Sequence, residues 1–407
     1  MANKMVVICV DDEETVLQSL ELELANKLGD CILELAQSGE EALEICQEYK
    51  DKDYDIPVVI CDYIMPNLKG DEVLKMINQA LPHTHNIMLT GQADVSGVVR
   101  AINEARLYRY IAKPWEKEDL FLTITSAIDH YCQSREVEES YQAMEKFIPR
   151  ELLREMGVKK LTHINFGDCI KKEMTVLFAD IRSFTTMSEK MSPQKTFSFL
   201  NAYFELMGPI IRQHNGFINK FIGDGIMAVF PERPEDAVDS GIAMLEALSV
   251  FNESSGPDAP NINIGIGIHS GRVILGTVGE KNRMEATVIG DSVNVAARLE
   301  EMTKAVKSPL LISSNTWELI DEREKYLIRY LGPLDVRGKI MHIPLIEVYN
   351  ADQPEMRACK QERREEFRLA VKAFHEGDRE RACGLFSAYQ EADPEDTVVA
   401  FYLKRLR

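Results

Sequence analysis

Short apolar segments alternate with helical segments at the start of the chain, and this alternation constrains the fold more than any other feature. The helical segments carry apolar residues at helical spacing, as at Val16, Leu20 and Leu24. Alternating units of this length predict a doubly wound α/β domain, in which a parallel sheet carries helices on both faces. The predicted strands are Met5–Val10, Cys31–Ala36, Pro57–Cys61, Asn86–Leu89 and Tyr108–Ala112.

Polar residues follow four of these predicted strands. Asp11 and Asp12 come directly after the first strand, and Asp62 comes after the third. Thr90 and Lys113 follow the fourth and the fifth. Functional groups of parallel sheets gather at the carboxyl ends of the strands. We therefore expect these five side chains to form one site at that edge of the sheet.

With the five positions in register, residues 1–126 resemble the receiver domain of two-component response regulators, which has a flavodoxin-like fold. Met65-Pro66 and Gly70 also match the loop that follows the phospho-acceptor in that family. The resemblance implies that Tyr110 is the aromatic residue that changes rotamer on phosphorylation. It also implies a sensor histidine kinase or a phosphotransfer protein as the phospho-donor.

The same resemblance implies a role for each residue at the strand ends. Asp62 would accept the phosphoryl group, and Asp11 and Asp12 would bind Mg²⁺ together with Asp62. Thr90 and Lys113 would contact the phosphoryl group. These roles agree with the chemistry, because clustered carboxylates hold a hard cation and a lysine adds a fixed positive charge.

A long helix from Leu120 to Ile148 is predicted to follow, and residues 127–166 are assigned to a helical linker. The apolar positions of this helix step mostly by three and four, and its flanks are rich in Glu. Such a stripe favours a two-stranded coiled coil, while a helix packed on its own domain is the alternative. The stripe comprises Leu120, Ile124, Ala127, Tyr131, Val137, Tyr141, Met144 and Ile148.

A predicted β-hairpin at Asn219–Phe230 contains an aspartate in its turn. Gly223, Asp224 and Gly225 reverse the chain between two apolar segments. A second aspartate, Asp180, ends another apolar segment 44 residues earlier. Two carboxylates at the ends of buried β elements are what a two-metal phosphoryl site requires.

Two further segments add polar groups to this predicted site. The residues after Asp180 begin a helix, whose free backbone N–H groups suit phosphates. Asn294 and Arg298 are four residues apart in a helical segment, so they point in the same direction.

Together these segments resemble the catalytic domain of class III nucleotidyl cyclases over residues 167–350, an α+β domain with a ferredoxin-like fold. The resemblance implies attack of the ribose 3′-OH on the α-phosphorus of the same nucleotide, with release of pyrophosphate. It implies that Asp180, Asp224 and the backbone of Ile181 bind two Mg²⁺ or Mn²⁺ ions. Asn294 would position the ribose, and Arg298 would stabilise the transition state.

Four more residues match substrate-binding positions of the cyclase family. Arg272 and Lys339 match positions that contact the β- and γ-phosphates, and Phe184 and Thr185 lie in the segment that contacts substrate.

The base that the site reads follows from Lys220 and Thr287, which match the base-reading positions of the family. Lysine can only donate hydrogen bonds and suits N1 of adenine, while the threonine hydroxyl can accept from the adenine amino group. Guanine-reading members carry Glu and Cys at these positions. Many adenylate cyclases have Asp in place of Thr287, and a bacterial subgroup shares the threonine. These residues predict ATP as the substrate and an adenylate cyclase as the function.

Other functions stay open. A hydroxyl can also donate a hydrogen bond, so a guanylate cyclase that makes cGMP is one alternative. A receiver-controlled interaction protein with an inactive cyclase fold is another, and the intact Asp180, Asp224, Asn294 and Arg298 argue against it. A dinucleotide cyclase is disfavoured because the chain contains no GG[DE]EF sequence.

In the cyclase family one catalytic domain supplies the metal ligands, and the other supplies the residues that read the base and stabilise the transition state. Asp224 belongs to the first set, and Lys220 belongs to the second. The resemblance therefore implies a homodimer in which one hairpin serves two active sites.

The segment 356–407 is predicted to form a helix, a Gly-Asp turn at Gly377-Asp378, a second helix and part of a third. It resembles a single tetratricopeptide-like unit. One such unit cannot bury its own apolar face, so we expect it to dock on the catalytic domain or on its partner.

Bulk properties narrow the class of protein. A net charge of −19 argues against nucleic-acid binding, which favours a basic surface. The eight cysteines include no CxxC pair, so we expect reduced thiols. No apolar segment approaches the about 20 residues that span a bilayer, which favours a cytoplasmic protein without a membrane partner.

Overall fold

A computed structural model describes most of the 407 residues and divides the chain into two compact units, 1–144 and 145–407, each described by itself below. None of the helices in the described part is long and apolar enough to cross a membrane. The described residues are 4–24, 27–29, 31–91, 106–145, 147–254, 261–280, 283–336, 339–340 and 343–406.

The first unit contains a five-stranded parallel sheet with the strand order β2-β1-β3-β4-β5. This confirms the parallel sheet that the sequence predicts. Val7 and Ile8 have no exposed surface, because each face of the sheet is covered by an apolar cluster. The strands are β1 (Met5–Val10), β2 (Ile32–Ala36), β3 (Asp55–Asp62), β4 (His85–Thr90) and β5 (Leu107–Ala112). The described helices are α1 (Glu14–Leu24), α2 (Gly39–Asp51), α3 (Gly70–Ala80) and α4 (Lys117–Glu145).

Helix α4 continues without a break past residue 126, where the sequence predicts a domain boundary, and all but its last residue lies in the first unit. Its first half packs on the sheet of its own unit, where Leu120 and Ile124 are fully buried. Tyr131 on the same stripe donates a hydrogen bond from its hydroxyl to Asp55 Oδ1 at 3.0 Å. Farther along, Val137 is 69% exposed and Met144 is 53% exposed. The first half of the stripe thus follows the own-domain alternative, and the coiled coil stays a prediction for the second half.

Helix α4 ends at Glu145, before Ile148, where the predicted helix ends. Lys146 lies outside the described residues. A short helix, α5 (Arg150–Glu155), begins immediately after Pro149, which is its N-cap. Pro149 is therefore the start of a new element, because proline fits the beginning of a helix and not its interior.

The second unit contains an eight-stranded mixed sheet in the order β12-β15-β11-β9-β6-β8-β7, with β10 paired to the far end of β9. This confirms a mixed sheet with helices. The strands are β6 (Cys169–Ile181), β7 (Phe217–Ile222), β8 (Gly225–Phe230), β9 (Ile264–Glu280), β10 (Arg283–Ile289), β11 (Leu310–Ser313), β12 (Ile328–Gly332) and β15 (Leu345–Val348). Two short strands, β13 (Asp335–Val336) and β14 (Lys339–Ile340), form a separate pair.

The helices of the second unit cover both faces of this sheet. Along β6, Leu177 and Ala179 face the cluster that contains α7 and α8, whereas Met174 and Val176 face the other side. This alternation is what a strand buried on both faces requires. The helices are α6 (Phe184–Ser188), α7 (Pro193–Gln213), α8 (Pro234–Ser254), α9 (Asp291–Val306), α10 (Ser314–Glu318), α11 (Pro354–Glu362), α12 (Arg364–Glu376), α13 (Arg379–Ala392) and α14 (Thr397–Leu406).

The helices α11–α14, which we call the tail, pack on the second unit. An apolar cluster joins Phe367 and Phe386 of the tail to Leu299 of α9 and Leu345 of β15. The turn at Gly377 (φ 83°) separates α12 from α13, as the sequence predicts. The tail therefore shares a core with the sheet, and its likeness to a tetratricopeptide unit stays a prediction.

Candidate active site and phospho-acceptor site

The predicted receiver residues lie at the carboxyl edge of the first sheet. Asp11 follows β1, Asp62 ends β3, Thr90 ends β4 and Lys113 follows β5. The Lys113 Nζ atom is 2.6 Å from Asp11 Oδ2 and also contacts the Asp62 carboxylate. The structure thus brings three strand ends together through one ammonium group.

Burial governs the electrostatics of Asp62. Burial raises the pKa of the Asp62 carboxyl, and the opposing effect of Lys113 does not cancel it. The backbone N–H of Ile64 donates a hydrogen bond to Asp62 Oδ2 at 2.8 Å. A Cβ atom at Gly70 would lie 2.1 Å from the Asp62 carbonyl oxygen, so the loop after Asp62 requires glycine there.

The remaining two predicted residues of this site are more exposed. Asp12 is exposed beside the buried Asp11, and Tyr110 is 55% exposed on β5. Carboxylate oxygens of this kind suit a hard cation. Lys113 already places a positive charge between two of them, so the residues present fit a divalent ion.

In the second unit, the two predicted metal-binding aspartates lie together. Asp180 is at the end of β6, and Asp224 is in the turn between β7 and β8, where Gly223 adopts φ 63°. Their carboxyl groups lie within hydrogen-bonding distance of each other. Burial and the charge of Asp180 raise the pKa of Asp224 to about 6, although the backbone N–H of Ile181 donates to its carboxylate. Paired carboxylates of this kind need a positive charge between them.

Lys304 on α9 supplies such a charge, and it was not among the residues predicted for this site. Its Nζ atom is 2.7 Å from Asp180 Oδ2 and 3.8 Å from Glu300 Oε1. Glu300 also pairs with Arg182, at 3.5 Å, and burial raises its pKa to about 7. The signal available in the sequence was only the i, i+4 spacing of Glu300 and Lys304 on the helix that carries Arg298.

The residues present fit a divalent cation at Asp180 and Asp224, because an ammonium group already occupies one carboxylate oxygen. Among the described residues, no three His, Cys, Asp or Glu side chains are grouped so that they alone could hold a metal ion. Mg²⁺ commonly takes one or two carboxylates and completes its shell with water and substrate phosphates. The Asp180 and Asp224 pair is compatible with this mode of binding, and so is the Asp11 and Asp62 pair of the first unit.

The predicted base-reading residues lie on neighbouring strands. Lys220 on β7 places its Nζ atom 2.5 Å from Glu285 Oε1 on β10. Thr287 follows Glu285 by two residues and therefore lies on the same face of that strand. Asn219 donates to the buried Thr287 Oγ1 at 3.5 Å. The pairing register of β7 shifts between Ile218 and Lys220, which lets both Asn219 and Lys220 reach β10.

Helix α9 presents Asn294 and Arg298 one turn apart on its exposed face. Arg272 is 85% exposed on β9, and its Nε atom is 3.4 Å from Glu173 Oε1. Ser292, in the first turn of α9, donates to the Arg272 carbonyl oxygen at 2.9 Å. Arg272 therefore lies beside the start of the helix that carries Asn294.

The other predicted substrate residues differ in how well they are defined. Phe184 and Thr185 lie on α6, with the Phe184 ring stacked on Phe199 at 6.2 Å between centroids and Thr185 exposed. Lys339 is on β14, and its side chain lies outside the described part of the chain.

Within one chain, the start of α9 packs against the middle of β6, away from the end of that strand that carries Asp180. Asp180 pairs with Gly265 on β9, while Met174 pairs with Gly271. The Ser292 side chain packs at Gly271, and the Thr303 side chain packs at Gly265. Six residues of strand extend about 20 Å. Lys304 thus reaches Asp180, whereas Asn294, near the start of α9, lies closer to the middle of the strand.

Comparisons with protein families match two segments of the chain. Residues 170–349 match the adenylate and guanylate cyclase catalytic domain, and residues 7–125 match the response regulator receiver domain. The chain therefore combines a receiver domain with a nucleotide cyclase catalytic domain. Domains of these two families generally use divalent metal ions.

Individual relatives point to the adenylate cyclase branch. An adenylate cyclase of Anabaena cylindrica is 37% identical over 219 residues, which is 52% of this chain and 44% of that protein. A terminal-differentiation-specific adenylate cyclase of Dictyostelium discoideum is 32% identical over 277 residues, which is 67% of this chain and 13% of that protein. The chain thus spans less than half the length of these curated relatives.

Among solved structures, a bacterial light-regulated adenylyl cyclase superposes with a TM-score of 0.50 at 26% sequence identity. The match covers 60% of this chain and 69% of that one.

Proposed function

We propose that this chain is an adenylate cyclase that converts ATP to 3′,5′-cyclic AMP and pyrophosphate. The observation that carries the proposal is the pair formed by Asp180 and Asp224, held beside the ammonium group of Lys304. The adenylate cyclases among the relatives support the choice of reaction.

The paired aspartates and the Ile181 carbonyl group would hold two Mg²⁺ or Mn²⁺ ions. When bound, these ions would lower the pKa of the ribose 3′-OH and neutralise charge at the α-phosphate. Lys304 would leave Asp180 when a cation binds there, and Glu300, whose Oε1 atom is 3.8 Å from the Lys304 ammonium group, would receive it.

The chain's other polar residues orient the nucleotide and stabilise developing charge. Asn294 holds the ribose, and Arg298 donates to the α-phosphate oxygens as the 3′-oxygen attacks. Arg272 and Lys339 bind the outer phosphates. The exposed positions of Asn294, Arg298 and Arg272 suit a substrate that enters from outside the domain. Phe184 and Thr185 border the same substrate from α6.

Adenine recognition rests on Lys220 and Thr287. Lys220 donates to N1 of adenine, and the Thr287 hydroxyl accepts from the 6-amino group. Glu285 keeps the Lys220 ammonium beside Thr287, which supports a shared role for the two side chains. The Asn219 amide donates to Thr287 and leaves one lone pair of the hydroxyl free to accept.

The active enzyme is a homodimer with shared sites in this proposal. In one chain the start of α9, which carries Asn294, lies six strand residues along β6 from Asp180, which supports the proposal that a second chain supplies Asn294 and Arg298 to the bound ATP. Four apolar side chains near Lys220 are exposed in the single chain, as expected for a covered interface. They are Phe221, Ile222, Met284 and Ile289.

The receiver domain would control this activity through Asp62. A histidine kinase or phosphotransfer protein would phosphorylate Asp62, with Mg²⁺ held by Asp11, Asp12 and Asp62. Lys113 already contacts Asp62 and would pair with the phosphoryl group, alongside Thr90. Tyr110 is exposed and would turn inward as part of the switch.

Product analysis tests the enzyme and its substrate together. The full chain is incubated with ATP or GTP and with Mg²⁺ or Mn²⁺, and the products are separated by chromatography. We expect cyclic AMP as the main product and none from an Asp224→Ala chain. Absence of any cyclic nucleotide would contradict the enzyme proposal, and cyclic GMP as the main product would overturn the adenine assignment.

Phosphorylation control predicts that Asp62→Asn abolishes the response to a small-molecule phospho-donor such as acetyl phosphate. The asparagine keeps the shape of the side chain but cannot form the acyl phosphate. Cyclase rates are measured with and without donor in both chains. The matched control is Asp53→Asn, an exposed position at φ 60° that asparagine tolerates. A donor response that persists in the Asp62→Asn chain would refute this role of Asp62.

A further inference from the structure

We infer that the tail α11–α14 is a positioning element of the active site, because it holds α9 in the orientation that presents Asn294 and Arg298. The inference rests on the proposed cyclase function and its shared sites. It assigns a role to residues beyond 349, where the match to the catalytic domain ends.

Helix α9 has one face for chemistry and another for the tail. Asn294 and Arg298 are exposed, and each is followed directly by a buried residue, Val295 and Leu299. The buried face continues one and two turns later, at the steps that a helix buried on one side requires. This face comprises Val295, Leu299, Met302 and Val306, all in one cluster with the apolar residues of the tail.

Helix α14 makes a direct polar contact with the end of α9. Thr397, its first residue, donates from its hydroxyl to the carbonyl oxygen of Lys307 at 2.9 Å. Lys307 is the C-cap of α9 and adopts φ 59°. Orphan carbonyl groups at a helix end need a donor, and α14 provides it. The tail therefore limits both the translation of α9 along its axis and the rotation of α9 about that axis.

Buried charges fix α14 to the sheet in turn. Arg329 on β12 has no exposed surface, donates to Glu347 Oε2 at 2.6 Å and contacts the Asp396 carboxylate. Asp396 precedes α14, and its Oδ1 atom accepts from the backbone N–H groups of Val398 and Val399 at 2.9 and 3.0 Å. Two free N–H groups at the start of α14 are thereby satisfied.

Further contacts join α14 and α11 to the rest of the second unit. The Tyr402 hydroxyl donates to the Leu331 carbonyl oxygen at 2.6 Å, and the Tyr402 ring stacks on Phe386 at 4.7 Å between centroids. Lys360 on α11 is 3.0 Å from Glu347 Oε1. A continuous set of contacts therefore links the sheet to α14 and α14 to α9. The residues that α9 presents act on ATP bound to the partner's aspartates, so each tail serves the other chain's metal site.

The test uses a full-length chain with a loosened tail, Thr397→Val with Val399→Ala. These changes remove the contact to Lys307 and open a small cavity without unpairing a buried charge. We expect kcat to fall about 10- to 100-fold, because a small misplacement of catalytic groups has effects of that size. Circular dichroism and Mn²⁺ binding, followed by electron paramagnetic resonance, should stay unchanged, because Asp180 and Asp224 are not involved. An unchanged kcat would overturn the inference.

Heterodimers separate positioning from general damage. Chains are co-expressed with two different affinity tags and purified as heterodimers. Paired with Asp224→Ala, the loosened-tail chain should regain activity equal to that of the Asp224→Ala and Arg298→Ala pair, since the partner supplies an intact α9. Paired with Arg298→Ala, it should have only about half the weak activity that it has alone, because one of the two sites then lacks Arg298.

Equal behaviour of the two heterodimers, while the Asp224→Ala and Arg298→Ala pair is active, would overturn the tail's role and leave the shared site intact. If that control pair stays inactive, the shared site itself is wrong. The tail is then judged by the loosened chain alone: a fall in kcat with unchanged Mn²⁺ binding supports its role, and a joint loss of both contradicts it.

Discussion

Asp224→Ala and Arg298→Ala chains, each inactive alone, are expected to recover activity when they are combined in one dimer. Each single change should lower the rate about 10³-fold or more, since in the proposed mechanism both residues help to stabilise charge at the α-phosphate. At equal mixing we expect about a quarter of the wild-type rate, because half of the dimers are mixed and each holds one intact site. Rates of cyclic AMP formation by the co-purified chains provide the measurement.

The physical reason is the distance along β6 between Asp180 and the start of α9. Asp180, near the end of the strand, pairs with Gly265, and the start of α9 packs near Gly271, which pairs with Met174 in the middle of the strand. The matched control places Asp224→Ala and Arg298→Ala in the same chain and pairs it with a wild-type chain. That heterodimer has one defect in each site and should be inactive.

A more stringent test mixes an Asp224→Ala chain with a Lys220→Ala chain. The two residues are four positions apart on one hairpin, so a site within one chain would lose both functions together. Recovery in this mixture would show that the hairpin serves two sites. If the mixture stays as inactive as either variant alone, the shared-site arrangement is wrong.

Replacing Arg329 by Met should destabilise the catalytic unit by about 3–5 kcal/mol, the usual effect of removing one partner from a buried ion pair. Arg329 has no exposed surface, and its removal leaves Glu347 and Asp396 as buried carboxylates beside a single cation, Lys360. The guanidinium group also lies 4.4 Å from the centre of the Phe367 ring, a contact that Met does not replace.

Urea denaturation measures this change in a chain with Trp115→Phe. Of the two tryptophans, that background keeps only Trp317, which lies on α10 in the catalytic unit. The matched control is Arg368→Met, whose exposed pair with Glu365 should contribute less than about 1 kcal/mol. Equal midpoints for the Arg329→Met and Arg368→Met chains would contradict the structural role of the buried pair.

The buried ion pairs of Glu347 with Arg329 and Lys360 make the stability of the catalytic unit sensitive to acid pH. Arg329 and Lys360 hold the pKa of Glu347 at about 2, below its ordinary value of 4.5. The folded state therefore binds fewer protons than the unfolded state in this range, and stability falls as the pH drops from about 4.5 toward 2. In the Arg329→Met chain this part of the acid sensitivity should be reduced, because the positive charge that lowers the pKa is gone.

Local patterns in the sequence predict the parts of the molecule that depend on neighbouring residues. The five strands of the receiver sheet follow from short apolar segments that end in polar residues, and parallel pairing places Asp11 and Asp62 together. The hairpin around Asp224 follows from glycines between apolar segments. The two faces of α9 follow from the spacing of Asn294 and Arg298 relative to Val295 and Leu299.

Contacts between distant segments could not be predicted in this way. Lys304 contacts Asp180 across 124 positions of sequence, and Lys220 pairs with Glu285 across 65. In the sequence Arg329 looks like an ordinary strand residue, and only the structure shows that Asp396 contacts it. Each of these residues is charged, and a charged residue in isolation favours a solvated position. Only the tertiary structure shows which of them are paired.

The stripe on α4 illustrates a different limit. Equal spacing serves both a helix packed on its own sheet and a helix packed on a second copy. Leu120 and Val137 occupy equivalent positions in the pattern, yet the first is buried and the second is exposed. Periodicity gives the face of the helix that is apolar, and it does not give the surface that covers that face.

The hydrogen bond from Thr397 to Lys307 spans 90 positions of sequence, and this separation sets an order of events during synthesis. Asp180, Asp224, Asn294 and Arg298 all emerge from the ribosome long before α14 does. Until α14 has been made, the apolar face of α9 lacks part of its cover, and a nascent chain in that state is exposed to aggregation. Competence for cyclic AMP synthesis would therefore be acquired late in translation, well after the last catalytic residue has been added.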